Sequence, residues 1–151
     1  MLKIIASLFL GIAFFAILLF LSHNAMPNSG MYSFKRINEK IISATKRNPD
    51  DKIDYQIFLL SERMKEIDFI YHSKSRHLLL STSMRYSSTA GTLTQMLIAG
   101  NNSDKKKLVM EIFDRDEIKL KKLEMGYKWF EKKFIADASY SLEQYKNVLK
   151  Q

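Results

Sequence analysis

The sequence predicts an all-α protein: one N-terminal transmembrane helix, then a small antiparallel helical bundle or set of helical hairpins, ending in a long C-terminal helix. Three observations predict it. Ile4 to Leu21 is an unbroken apolar run, IIASLFLGIAFFAILLFL. Beyond it, apolar residues recur at steps of three and four, the period of one helix face. Two prolines and five glycines are spread over 151 residues, and no strand-like alternation persists. That composition argues against disorder and against a β-sandwich.

The first element follows from lipid physics. The run 4–21 holds no charge and one hydroxyl, Ser7. As a helix rising about 1.5 Å per residue it covers roughly 27 Å, close to the hydrocarbon thickness of a bilayer. A helix also satisfies its own backbone polar groups, which lipid requires. A cleaved signal peptide would carry an apolar stretch of about 7–15 residues, with small residues just before the cut. Here the run is longer, and the best nearby site, after Ala25, has His23 two residues upstream. An uncleaved signal-anchor is therefore expected over residues 1–22, meeting the lipid bilayer through residues 4–21.

Orientation depends on how the flanking charges are counted. Lys3 and the α-amine lie on one side; Lys35, Arg36 and Lys40 lie on the other. Counted over about 15–20 residues, the bias places the C-terminal domain in the cytoplasm; counted close to the membrane, it points the other way. A short basic start followed at once by an apolar run is how secretory signal-anchors begin. The expectation is a cell-membrane, single-pass protein with a cytoplasmic N-terminus, a linker over 23–31 and an extracytoplasmic helical domain over 32–151.

Pro27, Asn28, Ser29 and Gly30 give the linker turn chemistry. A helix is expected from Tyr32 to about Lys46, with Ile37, Ile41 and Ile42 as a narrow stripe. Asn48 and Pro49 then make a helix start: an N-cap, a proline at the first helical position, and Asp50 and Asp51 against the positive helix end. Ile53, Ile57, Leu60, Met64, Ile67 and Tyr71 mark one face of that helix. YHSKSRH, 71–77, reads as a turn with Ser73 or Ser75 capping the next helix, where Leu79, Tyr86, Ala90, Leu93 and Leu97 repeat. Gly91 costs that helix about 1 kcal/mol relative to Ala, but the small side chains around it would let a neighbouring helix come close. AGNNSD, 99–104, is a break with Ser103 or Asp104 as the following cap.

The last stretch has a heptad-like pattern. Phe113, Leu120, Tyr127 and Phe134 are spaced by seven, and Val109, Leu123 and Phe130 fill the alternate seam. The phase shifts near Ala136 and resumes at Ala138, Leu142, Tyr145 and Leu149. Two forms fit: one long helix with a phase slip, or two helices with a bend at about Phe134 to Ala138.

The segment 26–67 carries Pro27, Tyr32, Lys35, Arg36, Glu39, Pro49, Lys52, Arg63 and Glu66 in a recognisable order. In this it resembles a family of small bacterial membrane-anchored proteins catalogued as domain of unknown function 5667. It departs from the family at Gly30, Met31 and Ser33. The resemblance implies an extracytoplasmic, all-helical domain and brings no catalytic residues. From the residues themselves, Tyr32, Arg36, Glu39, Arg63 and Glu66 are expected to form a polar clasp across the first two helices after the anchor, since Arg can hold a carboxylate through two parallel bonds. The rival reading is solvated charges worth about 0–1 kcal/mol per pair.

Reactive chemistry finds little footing. There is no cysteine, which excludes disulfides, thiolate zinc sites and a Cys nucleophile. His72 and His77 are five apart across a turn, not a one-face ligand pair, and read with His23 as surface residues. No HExxH, phosphate-loop or GxSxG motif is present. Asp114, Asp116 and Glu117 lack the glycine and alternating oxygens of a calcium loop and read as a solvated helix face. No cofactor is expected.

The net charge of +8 favours anionic partners. Lys121, Lys122, Lys128, Trp129, Lys132 and Lys133 make a basic stretch. It reads first as an ordinary exposed face, second as a contact for anionic lipid or wall polymer, and last as a single-stranded nucleic-acid surface. The function expected is that of a non-enzymatic membrane-anchored interaction or envelope-associated scaffold domain. Its partner would be a protein or an anionic envelope surface, with nucleic acid least favoured. The alternative is a membrane-tethered regulator holding a cytoplasmic protein, in an anti-sigma-like arrangement.

Overall fold

The computed structural model describes residues 2–73, 75–100, 102–128 and 130–151, and only the backbone of residues 2–4 and 6. Among the described residues it is all-α: six α-helices, one 3₁₀ turn and no strand. It divides into two compact units, Met1–Thr45 and Lys46–Gln151.

In the first unit, α1 spans Leu2–Leu21 and α2 spans Tyr32–Thr45. The last carbonyls of any helix lack partners within it. Here Leu19 O accepts from Ser22 Oγ at 2.8 Å and from Asn38 Nδ2 at 3.4 Å. The linker turns twice in succession, Ser29 N–H donating to Met26 O and Tyr32 N–H to Ser29 O, each at 3.0 Å. Asn28 between them takes φ 77°, a left-handed conformation that asparagine tolerates. The chain therefore doubles back along α1 before α2 begins. Phe34 meets Phe15 edge-on, ring centroids 6.4 Å apart. With Phe34 beside Phe15 and Asn38 beside Leu19, α2 runs in the same direction as α1 over that helix's last turns.

Side chains of α1 are described at Ile5 and from Ser7 to Leu21, fewer than the roughly 20 apolar residues of a typical span. Among the described residues, no helix is long and apolar enough to cross a membrane.

The second unit is a four-helix bundle: α3 (Pro49–His72), α4 (Leu79–Gly100) after a 3₁₀ turn at Arg76–Leu78, α5 (Ser103–Gly126) and α6 (Phe130–Lys150). Asn48 caps α3 as its sequence predicts, its side chain accepting from Asp50 N–H at 3.0 Å with Pro49 next in line. Helices α3 and α4 form an antiparallel hairpin that brings Ile53 to Gly100. Helices α5 and α6 form another, which Lys146 ties to Asp114 and Lys132 to Glu124. Between the hairpins α4 and α6 run parallel, so that Leu80 lies near Phe134 and Leu97 near Val148 along their groove. Helices α3 and α5 also run parallel, Lys105 pairing with Asp54 and Lys119 with Asp68. That leaves α4 and α5, consecutive in the chain, on a diagonal.

The core lies between all four helices. Ile53, Leu60, Ile67, Leu79, Tyr86, Leu93, Phe113, Leu120, Ile135 and Leu142 are among its buried members. Truncating one of the large aliphatic residues to alanine costs about 2–5 kcal/mol. Gly91 plays the part expected of it. A Cβ there would stand 2.8 Å from Tyr145 Oη, so its bare backbone lets α6 approach α4.

Two expectations about the chain's end are corrected. The C-terminal stretch is not one long helix, and its break is not at Phe134 to Ala138. Helix α5 stops at Gly126 and α6 starts at Phe130. The Tyr71 ring lies over Gly126, with Cζ 2.7 Å from where a Cβ would be, so only glycine fits without displacing that ring. The cap of α5 is also one residue earlier than expected: Asn102, not Ser103 or Asp104, accepts from Lys105 N–H at 3.1 Å.

Candidate functional site

The five residues of the expected clasp fall in both units: Tyr32, Arg36 and Glu39 on α2, Arg63 and Glu66 on α3. Each helix closes an i,i+3 ion pair of its own, the spacing that brings side chains together on one helix face. Arg36 Nη1 donates to Glu39 Oε2 at 2.8 Å, and Arg63 Nη1 donates to Glu66 Oε1 at 2.5 Å. The second pair is buried, its side chains 1 % and 0 % exposed. Such burial is tolerated only where the geometry is good and the charges are paired. Buried Glu62 accepts from Lys65 Nζ at 2.7 Å beside it. With Tyr55 and Leu59, the residues Glu62, Arg63 and Glu66 make a second buried face of α3, opposite the stripe led by Ile53. One face was legible in the sequence; Arg63, expected only as part of the clasp, is among the largest fully buried side chains.

The basic stretch is not one helix face. Lys121 and Lys122 close α5, Lys128 lies in the turn, and Lys132 and Lys133 open α6, all exposed. Trp129 lies outside the described residues. Lys121 Nζ donates to Glu117 Oε1 at 2.5 Å, and Lys132 Nζ stands 3.7 Å from Glu124 Oε1. The turn is seated on the end of α3, where the Tyr71 and Tyr127 rings meet edge-on at 5.1 Å. Tyr127 Oη is buried with no hydrogen-bond partner among the described residues, and burial pushes its pKa up to about 12.

The reading of Asp114, Asp116 and Glu117 as a solvated face is corrected at Asp116, which is 1 % exposed. Asp116 falls three residues after Phe113 and four before Leu120, on the core stripe; that spacing was the available signal. Tyr86 Oη donates to its Oδ2 at 3.0 Å. Arg115 donates to Oδ1 through Nε at 3.1 Å and Nη2 at 3.0 Å. Burial raises the Asp116 pKa, with Arg115 opposing. Burial, then the Asp116 charge, pushes Tyr86 well above the ordinary phenol value.

Glu117 sits between Lys121 and Lys146, and hydrogen bonds from both hold its pKa below the usual carboxylate value. Lys146 also donates to Asp114 Oδ1 at 2.8 Å. These contacts join α5 to α6 and have the chemistry of a helix–helix fastening. Among the described residues, no group of three or more His, Cys, Asp or Glu side chains is placed to hold a metal ion. No protein-family model matches the chain, and no curated protein or solved structure matches it.

Proposed function

We propose that this protein is a membrane-anchored helical contact domain that acts by binding and performs no chemistry of its own, with its C-terminal bundle outside the cytoplasm. One observation carries the reading. Helix α1 shows large apolar side chains to all sides, with Phe9 73 %, Leu10 74 %, Ile12 60 %, Phe14 63 % and Phe20 81 % exposed. A helix apolar all round belongs in a protein core or a bilayer, and an exposed apolar surface of this extent marks an interaction site. The uncharged run of the sequence from Ile4 to Leu21 supports the bilayer.

The capped end of α1 fits that role. Leu19 O carries two donors, which lowers the cost of ending the helix at a lipid boundary. The partner, a protein or an anionic surface, is engaged by the bundle.

The test is extraction of membranes at alkaline pH, combined with a reporter fused after Gln151. Retention in the membrane with the reporter active outside the cytoplasm is expected. Release into the soluble fraction sinks the anchor. Retention with the reporter active inside favours the tethered cytoplasmic regulator.

A further inference from the structure

We propose that the end of the bundle where the α5–α6 turn meets the α3–α4 turn is a docking site for anionic phospholipid headgroups. The two turns are one surface. Tyr71 meets Tyr127 at 5.1 Å, and Lys119 Nζ lies 3.6 Å from Asp68 Oδ1 just below them.

Between residues 121 and 133 there are five lysines and two glutamates, and all five lysines are exposed. His72, Arg76 and His77 are exposed on the adjoining turn. Inside this basic rim stand two apolar side chains at the crown of the hairpin, Met125 at 80 % and Phe130 at 70 % exposure. Phe130 is propped edge-on against Phe134, centroids 5.9 Å apart.

Charge and grease together select the partner. Lysine beside a charged membrane contributes attraction to headgroup phosphates, and a short apolar crown reaches the boundary of the acyl chains. Nucleic acid is held in a basic groove, whereas Met125 and Phe130 protrude. A defined carboxylate partner favours the planar fork of arginine, and this surface sets one arginine, Arg76, against five exposed lysines. Lysine point charges suit a diffuse layer of phosphates.

The inference rests on reading the bundle as a contact domain, and it does not depend on where α1 sits. The full chain is loaded into nanodiscs of neutral phosphatidylcholine, and capture of vesicles with or without phosphatidylglycerol is measured by flotation. Selective capture of the phosphatidylglycerol vesicles is expected, weakening as salt is raised. The triple variant Lys128→Glu, Lys132→Glu, Lys133→Glu is expected to bind roughly 100-fold more weakly. Phe130→Ser with Met125→Ser is expected to weaken capture severalfold and leave its salt dependence in place. Equal capture of both vesicle types, salt-insensitive binding, an unaffected triple variant, or tighter capture of an oligonucleotide or polyglutamate overturns the inference. A chain that does not enter nanodiscs counts against the anchor instead, and the same flotation is then run on the free chain.

Discussion

Tyr86 on α4 and Asp116 on α5 are joined through the middle of the bundle by a 3.0 Å hydrogen bond. These helices lie on a diagonal, so the bond crosses the core and fixes their register. Tyr86→Phe would leave Asp116 Oδ2 buried without its donor. The expected loss is about 1–3 kcal/mol of unfolding free energy, read from urea denaturation.

The acidic side of the stability profile separates two neighbours. Asp116 has a raised pKa from burial, so the folded state favours the protonated acid. Its contribution is complete below the unfolded value near 3.8 and is lost as pH rises through the folded pKa. Glu117 has a lowered pKa; its contribution is present above 4.5 and is lost as pH falls. Unfolding free energies measured from about pH 3 to about pH 6 should therefore shift with opposite slopes in Asp116→Asn and Glu117→Gln. Parallel slopes would contradict both assignments.

Tyr127 makes a sharper case. Among the described residues its hydroxyl is buried without a partner, so Tyr127→Phe is expected to stabilise the bundle by about 1 kcal/mol. The wild-type contribution from this group is whole below pH 10 and is lost as pH climbs toward the folded pKa of about 12. A thermal-melt series across that alkaline range should show the variant declining less than the parent.

At Gly91 two effects oppose each other. Alanine gains about 1 kcal/mol of helix propensity, but its Cβ meets Tyr145 Oη at 2.8 Å. Gly91→Ala alone should come out near zero, and in a Tyr145→Phe background it should stabilise. Gly91→Leu should cost about 1–3 kcal/mol through overpacking. A stabilised Gly91→Leu would show that α6 does not need the bare backbone.

The clasp expected from the sequence is open to a double-mutant cycle on Glu39 and Arg63. A coupling of about 1 kcal/mol or more supports it, and additivity within about 0.3–0.5 kcal/mol removes it.

Much of the secondary structure was legible because caps and periods are local signals. Asn48 and Pro49 announced α3, and Gly91 announced a close approach. The break at Gly126 was hidden by the hairpin itself. Both of its helices bury the same kind of stripe, so Phe113, Leu120, Tyr127 and Phe134 keep a spacing of seven straight through the turn. Asp116 was hidden by its chemistry, a carboxylate on a stripe position beside exposed Asp114 and half-buried Glu117. The second buried face of α3 was hidden because three of its members, Glu62, Arg63 and Glu66, are charged. Periodicity counts apolar residues and is blind to ion pairs that are buried together.

The linker has a mechanical corollary. Drawn straight, ten residues could reach roughly 33–36 Å, a generous leash. Wound back beside Phe15 and pinned at Leu19, residues 22–31 give α2 no slack to wander from α1. Any motion of one rod is passed to the other, and the first unit behaves as a bracket, not as a tethered float.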